Sequence, residues 1–259
     1  MGRGPGALIA AGLAATLETA GFEVESVVIQ LPDGFLTEGN ALVELQRAGV
    51  AAVSDALARG ARPVLLSGNC GPAALSAAAA LGAETTGVIW FDAHGDFNTP
   101  DTSPSGFFDG MGLAVLVGDC WPELAKRLAA FAPVPSQDIV QVGVRDCDAG
   151  EEIRLDQSGI RRIPATELRQ LERAVTDLSQ RVTRVYVHVD VDVLDISEGR
   201  ANTFACAGGL SLDELLGALE IIGRLLPIAA GSITSYDPEA DVDGRIGRAI
   251  PRIVELLAR

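Results

Sequence analysis

Two apolar runs end in carboxylates, and that pairing limits what this chain can fold into more than any other feature. Thr86-Gly87-Val88-Ile89-Trp90 leads into Phe91-Asp92-Ala93-His94-Gly95-Asp96, and the β-branched run Arg184–Val189 leads into Asp190-Val191-Asp192. Continuous apolar runs of this length fit strands buried on both faces, as in parallel sheets. Side chains at alternate positions of an extended segment share one side. Asp92, His94 and Asp96 therefore leave the first run together, with Gly95 allowing a turn between them. His188, Asp190 and Asp192 share a side of the second. A solvated, helix-capping turn would suit any one of these residues but not the set. Clustered carboxylates beside Val and Leu are costly unless a cation sits among them. Hard oxygen donors with one imidazole suit Mn²⁺ better than a thiolate-rich zinc site would.

Strand-like and helix-like runs alternate throughout. Strands are expected at 23–30, 63–67, 86–92, 138–144, 159–163, 184–192 and 228–236, and helices at 7–20, 40–59, 71–81, 121–130, 165–182, 211–226 and 247–258. Such alternation predicts a three-layer α/β/α fold with a mostly parallel central sheet, formed by residues 1–259 as one domain. Sites in such sheets lie at the carboxyl ends of the strands, where both acidic clusters fall. The Pro-, Ser- and Gly-rich stretch Asn98–Gly112 reads as a loop covering the site.

The net charge of −15 argues against nucleic acid and anionic membranes as partners. No apolar run reaches membrane-spanning length and no cleavable leader is visible, so a cytoplasmic protein is expected. Cys70, Cys120, Cys147 and Cys206 lack the spacing of a zinc knuckle or disulfide framework.

Four motifs in order resemble the ureohydrolases, the group of arginases, agmatinases and formiminoglutamases. They are DAHGDFNTPDTSPSG at Asp92–Gly106, GVRDCDAGE at Gly143–Glu151, DVDVLD at Asp190–Asp195 and GGLSLDE at Gly208–Glu214. The resemblance implies two Mn²⁺ ions and a bridging hydroxide that attacks the carbon of a non-peptide C–N bond. It implies Asp92 and Asp190 between the ions, Asp96 at the more buried one, and His94 with Asp192 at the other. It also implies trimers or hexamers. Where the family has GGDHS this chain has Ser67-Gly68-Asn69-Cys70-Gly71, which sets Cys70 in place of a metal-binding His. As a thiolate ligand Cys70 would admit Zn²⁺ or Fe²⁺; otherwise it is a small buried hydrophobe. Cys here, with the His188–Asp192 pattern, also resembles the branch acting on N-hydroxyarginine.

Further departures concern the substrate. Asp109 stands where the family has a proton-carrying His, either as a replacement with a raised pKa or as an ordinary loop acid. Ser235 replaces the carboxylate that grips a guanidinium, which favours a less basic group unless Asp237 or Glu239 substitutes. Asn98 and Ser105 match positions that hold an amino acid's α-carboxylate, and Asp148 and Glu151 those on its α-amino side, although each could be a plain cap. Phe107 replaces a further polar contact. His188 could be a ligand, a hydrogen-bond partner behind one, or a satisfied core residue. The expected function is hydrolysis of an amino-acid-derived guanidino, hydroxyguanidino, amidino or ureido compound. Two alternatives compete: a non-catalytic, metal-poor binding protein, and a thiol amidohydrolase using Cys70, which lacks a dedicated base.

Overall fold

The central strand β5 (Arg184–Asp190) is buried from Val185 onward and pairs on both sides. Around it lie β1 (Val64–Ser67), β2 (Thr86–Phe91), β3 (Ile139–Val142), β4 (Arg161–Ile163) and β6 (Ile228–Thr234) in the order β1-β6-β5-β2-β3-β4. Every neighbouring pair is parallel. The computed structural model describes residues 1–30, 37–127 and 131–259. Its helices are α1 (Gly4–Ala10), α2 (Leu13–Thr19), α3 (Glu38–Ala58), α4 (Cys70–Leu81), α5 (Gly112–Leu116), α6 (Pro122–Ala125), α7 (Ala149–Ser158), α8 (Leu171–Leu178), α9 (Leu212–Leu225) and α10 (Arg245–Ala258).

Strand alternation divides the core into two halves. Ile89, Phe91, Val185, Val187 and Val189 face α8, α9 and α10, with Leu8, Leu13 and Leu17 of α1 and α2 completing that side. Val88, Trp90 and Tyr186 face the Ala-rich α4, α5 and Leu155 of α7. Outside α4 lies α3, where Ser76 Oγ donates to the Gln46 carbonyl at 3.3 Å. This is the expected three-layer arrangement. Register then decides where the acids go. Trp90 lies beside His188 and Phe91 beside Val189, so Asp92 emerges next to Asp190. On the other flank Asp190 lies beside Thr234, and Thr234 beside Ser67, just before Cys70 opens α4.

Some expected elements differ. Residues 23–30 run without regular pairing, and Val27 and Val28 are exposed, so this β-branched stretch has no ladder to join. The helix expected over 7–20 divides at Gly12, whose φ of 85° no α-helix can hold. Residues 165–182 begin as a 3₁₀ turn, Ala165–Gln170, before α8. Of the helix expected over 121–130, Pro122–Ala125 is helical and 128–130 lie outside the described residues. Among the described residues no helix is long and apolar enough to cross a membrane.

Candidate metal centre

Asp92, Asp190 and Asp192 leave adjacent strand ends and lie at 1%, 3% and 2% exposure, with Asp96 close behind at 6%. The contacts to Asp92, Asp190 and Asp192 come from backbone amides and from indole, thiol, carboxamide and imidazole groups rather than from Lys or Arg. Asp92 accepts from His94 N at 2.8 Å and from Trp90 Nε1 at 3.0 Å. Asp190 accepts from Asp192 N at 2.9 Å and from the Cys70 thiol at 3.0 Å. Asp192 accepts from Ala93 N at 3.3 Å and Asn202 Nδ2 at 3.0 Å. Asp96 has one buried carboxylate oxygen, Oδ2, with no partner among the described residues. Its backbone sits at φ 50°, an unusual state for a non-glycine residue, and its carbonyl accepts from Leu113 N as α5 begins. The turn expected at Gly95 is thus made by Asp96. Gly95 serves close packing instead, since a Cβ there would lie 2.5 Å from the Glu151 carboxyl carbon.

Among the described residues, candidate ligand atoms fall into two groups, each within 4.8 Å: Cys70, Asp92 and His188, and Asp92, His94 and Asp192. Asp92 belongs to both. Burial raises the pKa of Asp92 and Asp96, and that of Asp190, with further upward pushes from neighbouring carboxylates. Burial also drives the Cys70 thiol up, with Asp190 adding to it. Desolvation alone would lower His94, yet hydrogen bonds to Asp192 and Asp92 hold it well above the usual imidazole range. Asp192 goes the other way: burial opposes its charge, but His94 and Asn202 lower its pKa. The shared carboxylate, the orphaned Asp96 oxygen and the absence of a buried Lys or Arg among these contacts fit a pair of divalent cations.

His188 lies one layer beneath. It is fully buried and stacks on Trp90, with ring centroids 3.8 Å apart and planes 17° apart. Nδ1 meets Tyr186 Oη and Ser232 Oγ, both at 2.9 Å, and Nε2 meets Thr234 Oγ1 at 3.2 Å. Burial lowers its pKa to about 3, so the ring is neutral. Both nitrogens are satisfied within the protein, which makes His188 a floor for the cluster. Thr234 carries that floor upward to the Cys70 sulfur at 3.2 Å.

Asp109 lies nearby, buried at the start of α4. Its carboxylate accepts from Cys70 N at 2.7 Å, Gly71 N at 3.4 Å and Asn69 Nδ2 at 2.8 Å, closing the N-terminus of α4. Burial lifts its pKa to about 6 against those donors. Ser235 is buried at φ 61°, its Oγ 3.5 Å from Cys70 Sγ. Asp237 accepts from Glu239 N, and Glu239 pairs with Arg3.

The outer residues are engaged with one another. Asn98 donates to Asp148 at 2.9 Å and accepts from Thr102 Oγ1 at 2.9 Å. Glu151 accepts from Phe97 N at 2.7 Å and Asp148 N at 3.2 Å, and it completes a capping box at α7 with Asp148. Ser105 Oγ, at the surface, accepts from Phe107 N.

A model of the arginase family matches residues 3–258. The chain belongs to the arginase family. The ureohydrolase resemblance of its motifs is borne out on this match. Among relatives, an arginase of Bacillus caldovelox is 30% identical over 256 residues, covering 92% of this chain and 85% of the relative. An arginase of Brevibacillus brevis is 29% identical, over 95% and 87% respectively. The solved arginase of Bacillus cereus superposes with a TM-score of 0.88 at 26% identity, over 98% of this chain and 91% of that one. Formimidoylglutamase of Bacillus subtilis, at 21% identity and a TM-score of 0.72, shares the fold.

Several residues that support this site make contacts that no local sequence signal gives, although Arg145 lies within the motif at 143–151. Asn202 is fully buried and ties Asp192 to the Ser235 carbonyl at 3.0 Å. Arg145 donates to the carbonyls of Asp192 and Cys206, both at 2.9 Å, and to Ala207 at 3.1 Å. Gln141 Nε2 holds the Gly95 carbonyl at 2.7 Å. Only long-range contact assigns them a place.

Proposed function

We propose that this chain is a metal-dependent hydrolase of a non-peptide C–N bond in an amino-acid-derived guanidino, hydroxyguanidino, amidino or ureido compound, using two Mn²⁺ ions. The observation that carries the reading is Asp92, one buried carboxylate common to both groups of candidate ligands. His94 and Asp192, from one group, would hold one ion with it; Cys70, from the other group, would hold the second with Asp96 and Asp190, which belong to neither group. Bound divalent ions at such a site lower the pKa of water to near neutrality and polarise the carbon under attack.

The chain's own residues set the rest. Trp90 and the backbone of His94 orient Asp92. Asn202 orients Asp192. Neutral His188, beneath the cluster, adds no positive charge that would compete with a cation. Ser235, where relatives of the resemblance carry an acid, offers a hydroxyl and favours a neutral or weakly basic group over a guanidinium. Association into trimers or hexamers belongs to the same reading and is checked by light scattering.

The test is metal analysis of protein purified without chelator, joined to a panel of arginine, N-hydroxyarginine, agmatine, guanidinobutyrate and formiminoglutamate. About two bound Mn²⁺ and release of urea, hydroxyurea or formamide are expected, with N-hydroxyarginine ahead of arginine. No bound metal and no release would leave the binding protein as the better account. Turnover without metal that is lost on alkylating Cys70 would favour the thiol amidohydrolase.

A further inference from the structure

We propose that Phe107 and Phe204 form a subsite for a flat apolar group on the part of the substrate remote from the bond that breaks. The proposal rests on the functional reading above and adds a class of ligand to it. Both rings are exposed, at 43% and 50%. They lie nearly parallel, with centroids 6.0 Å apart and an interplanar angle of 23°. Phe204 also meets the His94 ring edge-on at 6.3 Å. His94 is 25% exposed while Cys70, Asp92, Asp96, Asp190 and Asp192 are buried, so it marks where the cluster opens to solvent. The two rings stand at that opening.

The pair is held from behind on both sides. Phe204 N donates to Asn202 Oδ1 at 2.8 Å, and Asn202 is the residue that grips Asp192. Two positions on, Arg145 clamps the carbonyls of Cys206 and Ala207. On the opposing loop, Ser103 and Ser105 accept from Gly106 N and Phe107 N, and Asp109 fastens the segment to α4. Anchored through their backbones in this way, the two residues keep a large apolar area in water, and an exposed aromatic pair beside a polar site is best covered by a ligand.

The polar wall supports the same choice. Asn98, Asp148 and Glu151, which would grip a free amino-acid end, spend their hydrogen bonds on Thr102, on each other and on Phe97. Beside the exposed polar residues Ser105, Asp146 and Asp148, the large apolar surface left uncovered is that of the two rings. A planar group stacking on these rings gains contact that a zwitterionic end cannot make.

The experiment titrates Mn²⁺-loaded protein by calorimetry with N-phenylalkyl-N′-hydroxyguanidines, ethyl to butyl spacers, against the same compounds lacking the ring. The ring is expected to tighten binding by about tenfold or more. Phe204→Ala and Phe107→Ala should each remove most of that gain while keeping their bound Mn²⁺. No gain from the ring, no binding of the ring compounds, or a gain that survives both substitutions would overturn the subsite. Metal content and product release are scored separately. Protein that takes up no Mn²⁺ yet prefers the ring sinks the hydrolase and keeps the subsite; an active, loaded protein indifferent to the ring does the reverse.

Discussion

The floor of the site and its outer wall treat polar groups in opposite ways. On the wall, Asn98, Thr102, Asp148 and Glu151 close their hydrogen bonds among themselves and the backbone. On the floor, Asp92, Asp96, Asp190 and Asp192 crowd together, and Asp96 Oδ2 has no partner among the described residues. A satisfied network stabilises the fold unaided, whereas an incompletely satisfied cluster of buried acids stabilises it only with something added. The wall is built for shape and the floor for a guest.

The sharpest way to break that contrast is Asp92→Asn. Loss of the carboxylate shared by both ligand groups should lower turnover by about a thousandfold or more and reduce bound Mn²⁺, measured by steady-state kinetics and elemental analysis. An active, fully loaded variant would mean the floor does not need its central acid. Next in size is removal of the metal from the wild type. At free Mn²⁺ a thousandfold above its Kd, binding adds about 4 kcal/mol of stability, which chelation should remove in urea unfolding.

The pH dependence of the metal-free protein follows from the shifts. Burial and neighbouring acids raise Asp92, Asp96 and Asp190, so each adds stability in acid that is lost as pH rises through its folded pKa. Asp192, lowered by His94 and Asn202 against its burial, contributes above the ordinary carboxylate range and loses that only in strong acid. Raised His94 keeps its contribution through neutrality. Metal-free protein should therefore weaken as pH climbs from the acidic range to neutral, and Mn²⁺ should abolish the decline. A melting temperature that rises over that range without metal would contradict the picture of the floor.

The wall should respond differently. Glu151→Ala leaves the amides of Phe97 and Asp148 short of an acceptor and should cost about 1–3 kcal/mol in urea unfolding, with bound Mn²⁺ unchanged. Smallest is Asp109→Asn. As the cap of α4, Asp109 should yield about 1 kcal/mol on substitution, while the pH profile of turnover keeps its shape. Disappearance of an acidic limb near 6 would return Asp109 to proton transfer.

Much of the floor was legible in the chain because it is local. Strand ends with alternating acids announce themselves within a few residues, and the β-branched run at 184–190 leaves little choice but a buried strand. The hydrogen bonds of the wall were not legible, because a polar residue in a loop gives no hint of which partner it will find. Asp148 and Glu151, three apart at a helix start, did carry the signature of a capping box. Asp109 followed the same logic: its partners at 69–71 are remote in sequence. Residues 23–30 failed as a strand for a related reason, since strand propensity supplies no neighbour to pair with. Asn202 was invisible, and Arg145, though inside the motif at 143–151, gave no sign of its contacts, because their partners lie in segments that only the fold brings near.

Trp90 has a use beyond packing. Its indole bridges Asp92 above and lies flat against His188 below, while Trp121, the other tryptophan, is partly exposed. The two should emit as distinct populations, the inner one shielded from acrylamide and the outer one quenched. Loading the site would then change only the shielded emission, giving the protein an internal optical gauge of occupancy that needs neither substrate nor label.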